Sequence, residues 1–189
     1  MNAISYSFRR VLVSLVAATA SAPGYVWAGA EQDAAKLMKT SGVTSGLVVH
    51  VGCSDGSLAA LLGANDAFLV HGLDRDAANV KRARALIRSK ALYGRVSVDQ
   101  WMGERLPYAD NLVNLLLVDM RCEIRDAGSE ILRVLIPRGV AIVREKGNEG
   151  WLSRIPHPVS RIGNGFAMFG KPAPSHMDDW THWNHGPDG

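Results

Sequence analysis

Apolar and polar positions change rhythm along this chain, and the changes divide residues 31–147 into alternating helices and strands. Helical spacing holds over 31–40 and ends at Ser41-Gly42, after which Leu47, Val48, Val49 and Val51 form an apolar run that only His50 interrupts. A buried parallel strand reads as such a run. A helix over 57–62 closes at Gly63, with Ser57 placed to cap it, and a second apolar strand covers 67–73. The longest helical pattern spans 76–93, with Val80, Ala83, Leu86 and Ile87 on one side and Gly94 as its stop. Strands over 95–98, 112–118 and 140–143 follow, the last two separated by a helix over 129–135 that ends before Pro137 and Gly139. Strands alternating with helices predict an α/β fold, a three-layer parallel sheet covered on both faces.

After Gly147 the rhythm fails. Pro156, Pro158, Pro172 and Pro174, with Gly163, Gly165 and Gly170, break every period, and only 166–169 reads as a short strand. Residues 148–189 are therefore read as a linker or the start of a truncated second domain, and residues 29–147 as the folded domain. The first 28 residues stand outside the fold. Arg9 and Arg10 precede the apolar stretch 11–22, Pro23-Gly24 breaks it, and Val26-Trp27-Ala28 offers the small residues that a signal peptidase reads. The expectation is an exported protein whose mature chain starts near Gly29, with a retained signal anchor as the alternative. Since a membrane span needs about 20 apolar residues, no stable span is expected after cleavage.

Composition changes this picture little. A chain of 189 residues, 47% hydrophobic, suffices for one core. The formal charge of +3 comes largely from Arg9, Arg10 and the 76–93 helix, so no nucleic-acid partner is expected.

Chemistry concentrates at the turn after the first strand, Gly52-Cys53-Ser54-Asp55-Gly56, where the backbone can approach a nucleotide-like ligand and a helix N-terminus follows. A dinucleotide fingerprint needs G-x-G-x-x-G, which this turn does not supply. The turn instead resembles the first motif of class I S-adenosylmethionine-dependent methyltransferases, an acid, an apolar residue, then G-x-G-x-G, with His50 in place of the acid and Ser54 in place of the middle glycine. Val70-His71-Gly72-Leu73-Asp74 resembles the second motif. The segment from Glu104 to Asn111 is similar to the one preceding strand four in the type 11 subgroup, and Leu132 to Gly139 to that subgroup's helix and turn before strand five, with Arg138 where a glycine is usual.

The resemblance implies a Rossmann-like sheet of order 3-2-1-4-5, with the last strands of the full fold not legible after strand five, and S-adenosylmethionine as cofactor. It places the cofactor on Gly52, Cys53, Ser54, Gly56, Asp74, Arg75, Met102 and Gly103, with Asp74 accepting from both ribose hydroxyls. Three residues depart from the family pattern. Met102 stands where an acid usually meets the adenine amino group, Ser54 adds a side chain over the turn, and Asn114 replaces an aspartate.

No residue declares itself a catalyst, and the methyl acceptor stays unknown. Asp119, at the carboxyl end of strand four, is the single candidate, in the segment Asp119-Met120-Arg121; its plain alternative is a solvated loop acid. In the family's strand order Cys53 and Cys122 follow neighbouring strands, which makes a disulfide in an exported protein conceivable. His176, His182 and His185 with Asp178 and Asp179 fit no closed zinc spacing and are read as loop residues, so no metal is expected. Residues 177–189, with Trp180 and Trp183, resemble the entry to pyrroloquinoline-quinone-binding-like β-propellers of exported bacterial proteins. Two functions follow: a methyltransferase, or a non-catalytic module of the same fold attached to a propeller.

Overall fold

The computed structural model describes residues 30–119, 124, 126–155, 157–163 and 165–175. Its elements are α1 (Ala30–Ser41), β1 (Gly46–Val51), α2 (Ser57–Leu62), β2 (Phe68–Asp74), α3 (Ala77–Ser89), β3 (Val96–Gln100) and β4 (Val113–Val118). Then come α4 (Ala127–Val134), β5 (Leu135–Arg144), α5 (Glu149–Leu152), β6 (Ser160–Gly163) and β7 (Phe166–Gly170). The strands form one sheet of order β3-β2-β1-β4-β5-β7-β6. Neighbouring strands from β3 to β5 pair in parallel, whereas β7 pairs antiparallel with both β5 and β6.

Alternation along the central strands sorts the core into two layers. Val48, Val70, Val96, Leu115, Leu117 and Ile142 pack under α1, α2 and α3, where Leu37, Leu58, Ala83 and Ile87 meet them. Val49, Val51, Leu116, Val118, Ala141 and Val143 face α4 and α5 through Ile131, Val134 and Leu152. The near-continuous apolar runs of β1 and β4 are thus explained by burial on both faces.

Four expectations are corrected. Residues 149–170 are not a linker: β6 and β7 join the same sheet, with the helix α5 before them, so further strands of the fold are present. The hairpin turns at Gly165, whose φ of 74° suits glycine, and β7 buries Phe166, Ala167 and Phe169. The α3 helix stops at Ser89 rather than near Gly94. There Ala91 takes the left-handed conformation (φ 55°), its N–H reaches Arg88 O, and Leu92 N–H reaches Ile87 O, a complete Schellman ending built on alanine. Ser57 does not cap α2; it is the helix's first residue, and Asp55 Oδ1 accepts its N–H at 3.0 Å. Finally β5 starts at Leu135 rather than Val140, its register against β4 shifting between Val113 and Leu115.

The connection from β3 to β4 contains no helix. Arg133 of α4 holds it instead, donating to Tyr108 O (2.8 Å), Leu106 O (3.2 Å) and Asp110 Oδ1 (2.6 Å), while Glu130 Oε1 accepts from Leu106 N (2.8 Å). The same guanidinium holds the Glu130 and Asp110 carboxyls below their ordinary range.

Candidate cofactor site

Val51 delivers the chain to the carboxyl edge of the sheet, where open α/β folds bind their ligands. The turn that follows is bent by three left-handed residues, Gly52 (φ 82°), Ser54 (φ 52°) and Gly56 (φ 79°). It is anchored to the end of β2, because Gly52 N and Cys53 N both donate to Leu73 O at 2.7 and 3.2 Å. Gly56 also serves packing: a Cβ there would lie 2.7 Å from Ala83 Cβ of α3.

Asp74 organises this edge. It is 7% exposed, and its Oδ2 accepts Ser54 N at 2.8 Å while Oδ1 accepts Asp76 N at 2.9 Å and Asn79 Nδ2 at 3.0 Å. A carboxylate offers about four lone-pair positions, so three are taken and one remains, on Oδ2 toward the turn. The carboxylate therefore faces the turn. It has room for one further donor without rearrangement, rather than the two expected from the sequence.

Cys53 contributes backbone only. Its thiol is buried against Gly72, where an added Cβ would stand 2.9 Å from Sγ, and desolvation, with Asp74 second, pushes its pKa up to about 12. On the far side of Asp74 the chain runs on through Trp101, whose N–H donates to Asp74 O at 2.9 Å, and Gln100 Nε2 donates to Arg75 O at 2.9 Å. Met102 is 69% exposed and Gly103 beside it is exposed too. Further along the same connection Tyr108 Oη lies 2.8 Å from His71 Nδ1, and His71 Nε2 lies 3.1 Å from Asp99 Oδ2, which joins the connection to β2 and β3.

Asp119 sits at the same edge, over β4. It is not a solvated loop acid: its side chain is 13% exposed and Oδ1 pairs with Nε and Nη2 of Arg144 from β5. Met120, Arg121 and Cys122 lie outside the described residues, as do the signal region, the His176–His185 cluster, Trp180 and Trp183. The possible Cys53–Cys122 bridge is in the same position. Among the described residues no group of His, Cys, Asp and Glu could hold a metal ion, and no helix is long and apolar enough to cross a membrane.

Sequence reasoning missed Asn79 and Arg144. An asparagine one turn into a helix after a strand-end acid was a usable signal for the first; nothing local announced the second, whose partner is 25 residues away.

Residues 48–139 match the model of a family described as a methyltransferase domain. Among solved structures, the chain resembles an S-adenosyl-L-methionine-dependent methyltransferase of Methanococcus maripaludis, with a TM-score of 0.65 and 16% identity, covering 78% of this chain and 87% of that one. It also resembles a SAM-dependent methyltransferase of Aquifex aeolicus (TM-score 0.58, 20% identity, 72% of this chain, 89% of that one). A third similar structure, geranyl diphosphate methyltransferase in complex with SAM, has a TM-score of 0.51 and 17% identity and covers 60% of this chain and 48% of that one.

 

The matched share is 60% of this chain and 48% of the geranyl diphosphate enzyme, so the chain spans most of the first two relatives and about half of the third. Among curated proteins none matches.

Proposed function

We propose that residues 48–139, which match the model of a methyltransferase domain, bind S-adenosylmethionine, with the cofactor over the turn from Gly52 to Gly56 and Asp74 Oδ2 accepting one ribose hydroxyl. The observation that carries this reading is the Asp74 carboxylate: buried, aimed at the turn, held by N–H dipoles rather than by a cation, and with one acceptor position left. When bound, the cofactor supplies an electrophilic sulfonium methyl. The chain's own part is to orient it: the left-handed turn lets backbone approach the ligand, Arg75 and Met102 flank the base, and Gly103 leaves the rim uncrowded. Asp119, fixed by Arg144, stands where an acceptor would be placed.

Calorimetry of the full chain with S-adenosylmethionine, and with its demethylated product, tests this. Binding tighter than about 100 μM is expected, with Asp74→Ala weakening it tenfold or more. No heat at millimolar ligand would leave only a non-catalytic module of the same fold.

The sequence of residues 1–28 supports export with cleavage near Gly29, and residues 177–189 support a β-propeller as neighbour of this domain. Mass spectrometry of the secreted chain checks the first; a mature mass that retains residues 1–28 would reject it.

A further inference from the structure

The connection from β3 to β4 leaves the sheet beside Asp74, and no helix spans it. Its first residue, Trp101, donates its N–H to Asp74 O at 2.9 Å, so the segment that follows stands next to the acid of the cofactor site. This part of the sheet has little cover: Leu69, two residues before His71 in β2 and on the same face, is 55% exposed. Arg133 and Glu130 grip the connection through its backbone at Leu106 and Tyr108, but they tie it to α4. The Tyr108 side chain ties it to the sheet. Its Oη lies 2.8 Å from His71 Nδ1, the two rings edge to face with centroids 5.8 Å apart.

The chain of bonds continues onto β3. His71 Nε2 lies 3.1 Å from Asp99 Oδ2, and Asp99 Oδ1 accepts from Arg84 Nη2 of α3 at 2.5 Å. Burial acts to raise the Asp99 carboxyl, but the bonds from His71 and Arg84 outweigh it and hold the group below its ordinary range. A carboxylate only accepts, so in the neutral imidazole Nε2 carries the proton and Nδ1 presents a lone pair. The Tyr108 hydroxyl, pushed well above its usual value by burial, is protonated and donates to Nδ1. Tyr108 thus donates to His71 and His71 to Asp99, and no lone pair faces another.

We propose that His71 and Tyr108 are positioning residues of the cofactor site. Neither touches the ligand. The Tyr108 hydroxyl locks the connection onto β2, Asp99 holds His71 in the accepting tautomer, and residues 101–103 are thereby kept against the adenosyl end of the cofactor. Arg133 does not replace this lock, because it holds the connection to α4 and not to the strand that carries Asp74. The role at the cofactor rests on the methyltransferase reading, whereas the hydrogen-bonded chain does not.

The test uses the full chain, under conditions where urea unfolding shows each variant folded. Tyr108→Phe removes only the hydroxyl and should weaken S-adenosylmethionine and adenosine alike by about fivefold in calorimetry. It should also speed amide exchange at Trp101 by about tenfold relative to the amides of β1. His71→Phe should match it, and the double variant should lose no more than either alone. His71→Asn, whose amide oxygen stands in for Nδ1, should bind within about twofold of wild type. Unchanged affinity in Tyr108→Phe, or a His71→Asn variant as weak as His71→Phe, overturns the positioning role. Should His71→Phe not fold, Tyr108→Phe and His71→Asn decide. If wild type binds neither ligand, the methyltransferase reading fails, and exchange at Trp101 decides the lock by itself: an unmoved rate in Tyr108→Phe overturns it.

Discussion

Two aspartates stand at the same edge of one sheet and are held in opposite ways. Asp74, over β2, is tied by two backbone N–H groups and one side-chain amide, all dipoles. Asp119, over β4, is tied by the guanidinium of Arg144. A carboxylate solvated by dipoles keeps its full charge and its appetite for further donors, which suits recognition of hydroxyl groups. One paired with a guanidinium has its charge neutralised and its direction set, which suits the shaping of a cavity more than binding a neutral ligand. On the proposed reading, the difference fits cofactor recognition on the β1–β2 side and orientation of an acceptor on the β4–β5 side.

Deletion of each acid tests that contrast most strongly. Asp74→Ala strands three donors in a mostly buried place, and at roughly 1 to 3 kcal/mol for each unsatisfied group a loss of about 4 kcal/mol is expected. Asp119→Ala leaves Arg144, whose side chain is 34% exposed and can rehydrate, so about 1 to 2 kcal/mol is expected. Urea unfolding of both variants checks the order. Equal losses would mean that the dipole-held acid is no more structural than the ion-paired one.

The first of these regions was legible in the sequence and the second was not. Gly52, Gly56 and Asp74 stand in recognisable motifs, and Asp74 accepts from Asp76 and Asn79 two and five residues on, so their pattern survives in a linear reading although Ser54 is 20 residues away. Ser54 as a departure was also visible, although not that its amide, rather than its hydroxyl, is what Asp74 binds. Asp119 could be placed at an edge by counting strands, but its partner Arg144 belongs to a different strand, and no local rule joins them. The strand at 166–169 was legible as β7, but its antiparallel partner β6 was hidden for a related reason. Pro156, Pro158 and Gly163 mask the period of a short strand that exists only because β7 pairs with β5. Met102 was expected to touch a ligand because of its position in a motif; the loop that carries it is set by Arg133, and leaves it exposed.

Acid should sharpen the comparison from the other direction, since His50 lies in β1, paired with Leu117 of β4 two residues before Asp119. Its imidazole is held down at about 4 by burial, against the opposing pull of Asp74 and Asp55, while an unfolded histidine titrates near 6.5. The unfolded chain therefore takes up a proton that the folded chain refuses. Stability present above pH 6.5 is lost as the pH falls from about 6.5 to about 4, by on the order of 3 kcal/mol at the lower end. His50→Leu removes this dependence, and the remaining carboxylates contribute equally to both proteins. Unfolding midpoints at pH 7 and pH 4.5 provide the check: the same fall in wild type and variant would show that His50 is not the group that titrates.

The smallest effect concerns the single non-glycine residue in the left-handed bends of the turn. Ser54 holds φ at 52°, a conformation that costs a side-chain-bearing residue roughly 1 kcal/mol, whereas glycine adopts it freely. Ser54→Gly relieves that strain but also loosens the unfolded chain by a similar amount, so net stability should change by less than about 1 kcal/mol. The N–H bond to Asp74 survives, because it is made by the backbone. What changes is the space above the turn, and S-adenosylmethionine affinity should rise roughly threefold to tenfold. Ser54→Ala separates the causes, since it keeps the Cβ and the strain but loses the hydroxyl, and should leave affinity near wild type. Weaker binding in Ser54→Gly would show instead that the hydroxyl itself contacts the ligand, and the β1–β2 side would then recognise its cofactor with side chains as well as backbone.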